Sequence, residues 1–377
     1  MPPALVDVNN WEALAKDFSY KAKAIQDKYD FNIGSPLLVN KKLQSILRLR
    51  SPLRSTDEET ITDLMEHNKG REDIIRFCTD LLEFRKAKKL SSTYGETWLK
   101  KYTEDNGLVY SDWKPCQAST GRLSSSSPNL QNIPAREFPI FRSFFIAGDG
   151  SSIVVADVAQ QEPRILAKLS GDKNLTDVLV KGDSPHLLVG QYIFNDPNFS
   201  KADPRYAVAK QLNLAMSYGL TASGLAVRAG LSEEDAQSYL ESYFKLFPGV
   251  RLYMDKYRDI ALRRGYVQTL LGRRSWVNPY STKWMNNAIN APVQGTGGDQ
   301  IKIAMGFVHQ ESKRRGLPFC LTMVVHDEMV VRVPNEYKDA YAQLINDAWQ
   351  YAGELTLGDT IPMKLEIAIG DNWGCKG

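Results

Sequence analysis

The sequence predicts an α+β fold, with helices first along the chain and strands that end at acidic residues later. Two observations support this prediction. Apolar residues recur at helical spacing through much of the first third of the chain. Beyond residue 150, short runs rich in valine end at carboxylates, and such runs are typical of buried strands.

The first third of the chain predicts two long helices. Residues 11–25 and 71–84 both carry apolar side chains at helical spacing. Between them, the polar segment 50–56 contains Pro52 and predicts a loop between helices.

The first predicted strand that ends at a carboxylate is the apolar run 153–156, which is followed by Asp157. Glu162 follows five residues later, and Pro163 suits the first turn of a following helix. A carboxylate at the end of a buried strand loses hydration, so a cation or a basic partner is the usual compensation.

The ends of further helices are marked by their capping residues. Asp203 as N-cap and Pro204 at the first position predict the start of one helix, and Gly219 lies just past its end. A capping box at Ser232 opens another helix, and the helix after it ends near Gly265.

The helix predicted over residues 203–219 carries three side chains on one face. Lys210, Leu214 and Tyr218 are spaced i, i+4 and i+8, which aligns a cation, an apolar platform and a phenol. This face could hold a nucleotide, with Lys210 at the phosphates. Taken alone, a core helix with one snorkelling lysine is the more frequent explanation.

The last predicted strands are the apolar runs 319–325 and 329–333, which meet at the charged turn 326–328. Asp157 and Asp327 are therefore both predicted at strand ends, where they are free to meet in space. Two such carboxylates suit Mg²⁺, and two ions roughly 3.5–4 Å apart stabilise the attacking and leaving oxygens of a phosphoryl transfer. An acidic turn without function is the alternative for the tripeptide alone.

Composition excludes several classes of protein. The chain has 377 residues, 43% of them hydrophobic, so it can build substantial cores. A net charge of +3 gives no uniform basic surface, and the positive residues are clustered instead. Four cysteines without zinc spacing indicate reduced thiols in an intracellular protein. Residues 1–5 lack the basic start and long apolar core that are typical of a signal peptide, and the sequence contains no run of ~20 apolar residues, so we expect no membrane partner.

Together these motifs resemble DNA polymerases of family A, the group that includes bacterial DNA polymerase I and many phage replicative enzymes. The resemblance covers nearly the whole chain. The family's three motifs match residues 157–164, 210–219 and 326–328, and further matches lie at 31–36, 120–134, 265–274, 290–296 and 370–373.

The resemblance implies a right-hand polymerase fold, with an antiparallel palm sheet and a helical thumb and fingers. It also implies that the chain has no proofreading or flap nuclease domain. The implied parts are an N-terminal helical lead-in (1–29), the thumb (30–113), the first part of the palm (114–178), the fingers (179–300) and the second part of the palm (301–377).

The resemblance implies template-directed DNA synthesis, in which dNTPs are added to a primer 3′-hydroxyl by two-metal phosphoryl transfer with release of pyrophosphate. Asp157 and Asp327 would hold two Mg²⁺ ions, or Mn²⁺ in their place. Glu328 and Lys210 complete the implied catalytic set. Primer-template DNA and dNTPs are the implied partners of a monomer, with replication accessory proteins as further partners.

The remaining implied roles concern the nucleotide and the DNA. Glu162 would block the ribose 2′ position, so deoxynucleotides would be preferred. Minor-groove acceptors are common to all correct base pairs, so contacts with them test pair shape without reading sequence. The implied nucleotide contacts are Glu162, His186, Lys210, Leu214 and Tyr218, and the implied DNA contacts are Arg122, Asn290, Gln294 and His326.

Several positions depart from the family pattern. Leu214 stands where most members carry Phe or Tyr, which predicts unusual nucleotide discrimination. Tyr206 and Asn286 each stand where the family has an arginine, and Arg205 is displaced by about 100° around the helix. The Gln-Gln-Glu-Pro-Arg sequence that ends at Arg164 is closer to phage polymerases than to bacterial repair enzymes. Because the aspartates and Lys210 remain, we expect an active enzyme.

The sequence leaves two alternative functions open. A single-subunit RNA polymerase shares the implied fold, but Glu162 and the intact motif 326–328 argue against it. A DNA-binding relative without activity should have lost Asp157, Asp327 or Lys210, and the chain retains all three. RNA-templated synthesis stays open.

Overall fold

The computed structural model describes residues 1–135, 137–216, 219 and 221–376, without the side chains of residues 214–216. Elements are numbered in chain order. Helices α1 to α15 span Val8–Gln26, Pro36–Leu47, Glu58–His67, Glu72–Thr93, Glu96–Tyr102, Ile140–Ser143, Gln161–Ser170, Lys173–Val180, Pro185–Ile193, Tyr206–Met216, Ala222–Ala229, Glu233–Leu246, Pro248–Arg264, Trp284–Arg314 and Lys338–Leu357. Strands β1 to β11 span Ala4–Val6, Leu108–Val109, Asp112–Lys114, Ser124–Ser126, Phe145–Ile146, Ser151–Val158, Tyr266–Gln268, Arg274–Trp276, Leu321–Val325, Glu328–Pro334 and Leu365–Gly370.

The chain forms two compact units. The helical unit comprises residues 4–110 and 135–146, and the large unit comprises residues 1–3, 111–134 and 147–377. The two compact units do not test the boundaries expected from the resemblance, so the five ranges of lead-in, thumb, palm and fingers stay a prediction.

The helical unit is built on the packing of α1 against α4. Trp11 of α1 is fully buried, stacks on Trp98 at 4.5 Å between ring centroids, and donates its Nε1 hydrogen to the Tyr94 carbonyl at 2.8 Å. A small antiparallel sheet in the order β2-β1-β5 belongs to the same unit. The two helices predicted over residues 11–25 and 71–84 are confirmed as parts of α1 and α4.

The large unit contains a four-stranded antiparallel sheet in the order β11-β6-β10-β9. Its core face carries Val154, Ala156, Met329 and Val331, which are all fully buried. Helix α15 packs on β6 and β10, and α14 packs on α15. The strands predicted beside Asp157 and Asp327 are confirmed as β6, β9 and β10.

The observed helix boundaries test the capping residues that were predicted from the sequence. The Ser232 hydroxyl accepts the backbone N–H of Asp235 at 3.0 Å, so the N-cap half of the predicted capping box at the start of α12 is confirmed. The Asp235 carboxylate accepts from the Ser232 hydroxyl at 2.7 Å. Gly265 ends α13 with φ of 71°, also as predicted. The predicted start of α10 at Pro204 is wrong, because the Asp203 carboxylate closes a turn with the N–H of Arg205 and the helix begins at Tyr206.

Helix α14 approaches its neighbours closely at its glycines. A Cβ atom on Gly298 would lie 2.9 Å from the Gly121 carbonyl oxygen, which is nearer than side-chain carbons come. The glycine therefore lets residues 120–122 pack directly on the helix backbone. Lys302, one turn further, donates to the same carbonyl at 2.7 Å.

In the part of the chain that the structure describes, no helix combines the length and the apolar character needed to cross a bilayer.

Candidate active site

The candidate site is at one end of the four-stranded sheet. Asp157 of β6 lies directly opposite Glu328 of β10 on one side and Glu366 of β11 on the other. Residues directly opposite each other in antiparallel strands project to the same face. The sheet therefore presents three carboxylates side by side on the face opposite its core.

Asp327 joins this group from the turn between β9 and β10. The turn is tight, since Glu328 pairs with Val325, and His326 adopts a positive φ of 60° that non-glycine residues rarely take. Burial raises the pKa of Asp327 to about 7, and the negative charge of Asp157 adds to the rise. Asp157 and Asp327, predicted to meet, are thus brought together, and their repulsion favours a bound cation.

Lys376 is a site residue that the sequence did not reveal. Its ammonium group contacts the Asp157 carboxylate and lies 3.5 Å from that of Glu366. Burial opposes its charge, but the hydrogen bond to Asp157 raises the pKa of Lys376 overall. A positive charge is therefore accommodated between Asp157 and Glu366, whose oxygen donors are of the kind that Mg²⁺ and Mn²⁺ prefer. Among the described residues, no three or more His, Cys, Asp or Glu side chains are grouped so that they could hold a metal ion.

Glu328 is held by a tryptophan. Its side chain is buried, and its Oε1 accepts the Nε1 hydrogen of Trp373 at 2.7 Å. The turn predicted over residues 326–328 is corrected in part, because Glu328 is already the first residue of β10. His326, by contrast, is exposed beside the carboxylates.

Helix α7 positions Glu162 at the edge of the site. The Arg122 guanidinium donates to Glu162 Oε1 at 2.8 Å. The neighbouring Gln161 is buried and donates to Gln300 Oε1 at 3.0 Å, which ties α7 to α14. Arg164 is buried, donates to the Ala159 carbonyl at 3.0 Å, and has its pKa lowered by burial. The arginine of the first motif thus anchors the start of α7.

Lys210 and His186 lie together on α10 and α9. Lys210 is exposed, whereas His186 is largely buried and its Nδ1 is 2.9 Å from Nδ2 of Asn213. Burial lowers the pKa of His186 to about 4, and the positive charges of Lys210 and Lys201 add to the effect. The ring is therefore neutral at pH 7. With the amide donating to Nδ1, its proton lies on Nε2.

Two predicted nucleotide contacts cannot be located. The Leu214 side chain and the whole of Tyr218 lie outside the described residues. Arg205, the displaced arginine, is paired with Asp203 at 2.7 Å and Asp196 at 2.9 Å. Its guanidinium also covers the Phe194 ring at 4.7 Å.

Asn290 and Gln294 follow one another by a turn of α14 and share a face. Asn290 Oδ1 is buried and has no hydrogen-bond partner among the described residues. A buried acceptor without a partner is unfavourable by about 1–3 kcal/mol, which is consistent with a group that meets its partner on a ligand.

Comparisons with known proteins agree with this arrangement. A family profile described as DNA polymerase family A matches residues 8–375. DNA polymerase I of Pseudomonas aeruginosa is 32% identical over 395 residues, which cover 98% of this chain and 42% of that protein. The thermostable DNA polymerase I of Thermus aquaticus is 35% identical over 303 residues, covering 78% and 36% of the two chains.

A solved structure of a polymerase domain also matches this chain. The POL domain of Pol1 from M. smegmatis, in complex with DNA primer-template and dNTP, matches with a TM-score of 0.86 and 30% identity. The match covers 99% of this chain and 68% of that chain. The chain therefore belongs to DNA polymerase family A and has the fold of a family A polymerase domain. It spans less than half the length of the two curated relatives, both bacterial, and the likeness to phage enzymes stays a prediction.

Proposed function

We propose that the protein synthesises DNA on a template, adding dNTPs to the 3′-hydroxyl of a primer with release of pyrophosphate. The observation that carries this proposal is the convergence of Asp157 and Asp327 at one end of the sheet, beside the Arg122–Glu162 pair. The family relatives support it, since they are named as DNA polymerases.

In this proposal Asp157 and Asp327 hold two divalent cations, Mg²⁺ or Mn²⁺. When bound, the ions supply charge stabilisation for the attacking and leaving oxygens. The protein contributes the fixed positions of the carboxylates, because both are set by the pairing of β6, β9 and β10. Trp373 holds Glu328 beside them.

Lys210 and His186 bind the triphosphate in this scheme. Lys210 offers an exposed positive charge that attracts the phosphates and stabilises the departing pyrophosphate. His186 offers a hydrogen bond from a neutral ring, since its buried position disfavours the imidazolium form. Because Lys210 and His186 lie close together, both would contact the triphosphate part of the nucleotide.

Glu162 and Arg122 shape the sugar side of the site. The ion pair between them fixes the Glu162 carboxylate, which we propose excludes a ribose 2′-hydroxyl by contact and repulsion. Arg122, Asn290 and Gln294 then read minor-groove acceptors of the primer-template without regard to sequence. The ranges given above for thumb, palm and fingers belong to this proposal.

Extension of a labelled primer on a DNA template with Mg²⁺ and dNTPs tests the proposal. Asp327→Asn should abolish extension, because a neutral amide replaces a metal ligand without a change in size. Asp339→Asn, the same change on the exposed side of α15, is the matched control and should extend like the wild type. Equal extension by both variants would contradict the proposed role, and a folded wild type that binds primer-template without extending it would favour a non-enzymatic binding protein.

A further inference from the structure

The β7–β8 hairpin displays an aromatic pair on its outer face. Tyr266 and Trp276 are directly opposite each other across the hairpin, with ring centroids 5.3 Å apart and planes inclined by 68°. Val267, on the other face, is fully buried. Trp276 nevertheless remains 75% exposed. Because the tyrosine meets the indole edge to face, a broad aromatic surface stays open to solvent.

A cation accompanies this aromatic pair. The guanidinium of Arg274 lies 4.8 Å from the centroid of the Tyr266 ring. Tyr280, in the loop after β8, is 95% exposed and adds a second open ring nearby in sequence. We call Tyr266, Arg274 and Trp276 the hairpin platform.

The segment around the platform is strongly basic. Residues 251–285 contain eight Lys and Arg residues against two Asp, a net charge of +6, whereas the whole chain has a net charge of only +3. Some of these cations are paired within the protein. In the described part of the chain, Lys256, Arg264, Arg274 and Lys283 make no ion pair. This local excess of positive charge favours a polyanionic ligand.

The turn of the hairpin is fixed to the candidate site. Arg273 donates to the carbonyl oxygens of Thr120 at 2.8 Å and Gly295 at 2.9 Å, and its Nε contacts Asp299 at 2.7 Å. These contacts join the hairpin to the loop that carries Arg122 and to the helix that carries Gln294. A strand that lies on the platform is thus held in a set position relative to those residues.

We propose that the hairpin platform binds unpaired DNA bases, by stacking one base on the Trp276 indole while the neighbouring cations bind its phosphates. Bases inside a duplex are stacked on both faces, whereas every base of a single strand can offer a face, so an exposed indole favours single-stranded DNA. Stacking is tolerant of sequence, as a template requires. The proposal rests on the proposed function, in which the occupant is the uncopied part of the template.

The test compares two DNA molecules and four proteins. The DNA molecules are a primer-template with a single-stranded 5′ overhang and a blunt duplex of the same paired sequence, both labelled for fluorescence anisotropy. The proteins are the wild type, Trp276→Ala, Trp276→Phe and Leu252→Ala. Leu252 is the matched control, since it is 70% exposed in the same basic segment but cannot stack.

Trp276→Ala should weaken binding of the overhang DNA about fivefold or more, because one base stack is lost. Its affinity for the blunt duplex should match that of the wild type. Trp276→Phe retains a ring and should restore most of the affinity, and Leu252→Ala should bind both DNA molecules normally.

Three outcomes would overturn the proposal. They are unchanged overhang binding by Trp276→Ala, equal losses on both DNA molecules, and a loss in Leu252→Ala as large as that in Trp276→Ala. If all four proteins bind the blunt duplex normally and also bind the overhang DNA equally well, the role of the hairpin platform is wrong but the proposed function still stands. A wild type that binds neither DNA molecule would contradict the proposed function as well.

Discussion

At the scale of single residues, the site contains several carboxylates that repel one another and one ammonium group that attracts them. Asp157 faces Asp327, Glu328 and Glu366 across a small space, and the Lys376 ammonium moderates their repulsion. Removing one charged side chain from such a group leaves the opposite charge of its partner uncompensated. The properties of each residue here therefore depend on its neighbours more than on its own type.

Lys376→Met should strengthen binding of Mn²⁺ to the DNA-free protein, because the ammonium that competes for Asp157 is gone. We expect a gain of about fivefold, the size of a modest ion pair. Titration of free Mn²⁺ by electron paramagnetic resonance measures it. Lys364→Met, at an exposed position just before β11, should leave the affinity unchanged. Unchanged or weaker binding in Lys376→Met would show that the lysine does not compete with the ion.

His186 should make the protein less stable in mild acid. Its pKa is about 4 in the folded protein and 6.5 in the unfolded chain, so only the unfolded chain gains a proton between these values. The free energy of unfolding then falls as the pH drops through this window, by about 2 kcal/mol at pH 5 from this group.

His186→Gln should remove that part of the pH dependence. Urea unfolding at pH 5 and at pH 7.5 gives the comparison, and the difference between the two pH values should be smaller in the variant. The same difference in wild type and variant would mean that His186 is not held neutral by burial.

At the scale of elements, close packing on α14 determines where the loop that carries Arg122 lies. Gly298 allows residues 120–122 to contact the helix backbone, and Arg122 then reaches Glu162. Gly306 lies two turns further on the same helix, where a Cβ would meet nothing within 4 Å. The two glycines therefore differ in function although their chemistry is the same.

Gly298→Ala should displace the loop that carries Arg122 and reduce primer extension, whereas Gly306→Ala should extend normally. Gly306→Ala should also stabilise the protein by up to about 1 kcal/mol, because alanine favours the helix. Steady-state extension rates and urea unfolding of both variants measure these effects. A full extension rate in Gly298→Ala would contradict the role assigned to the close contact.

At the scale of the whole molecule, local signals were predictable, and the meeting of Asp157 and Asp327 was expected from the resemblance to the family. The pairing that brings two further residues to the site was not predicted. The N-cap at Ser232 and the hairpin around Asp327 depend on neighbours in sequence, and the structure has both. Lys376 and Glu366 join the site only through the pairing of β11 with β6, for which the sequence carries no local signal. The start of α10 was missed because Asp203 caps a turn as readily as a helix.

The central claim is that this chain copies a template. The most direct measurement is incorporation of a single nucleotide on four primer-templates that differ only in the first unpaired template base, with each dNTP and each ribonucleotide supplied alone. If the chain copies a template and Glu162 excludes the ribose 2′-hydroxyl, the complementary dNTP is added in each case and ribonucleotides are rejected. Addition that ignores the template base, or efficient addition of ribonucleotides, would contradict it.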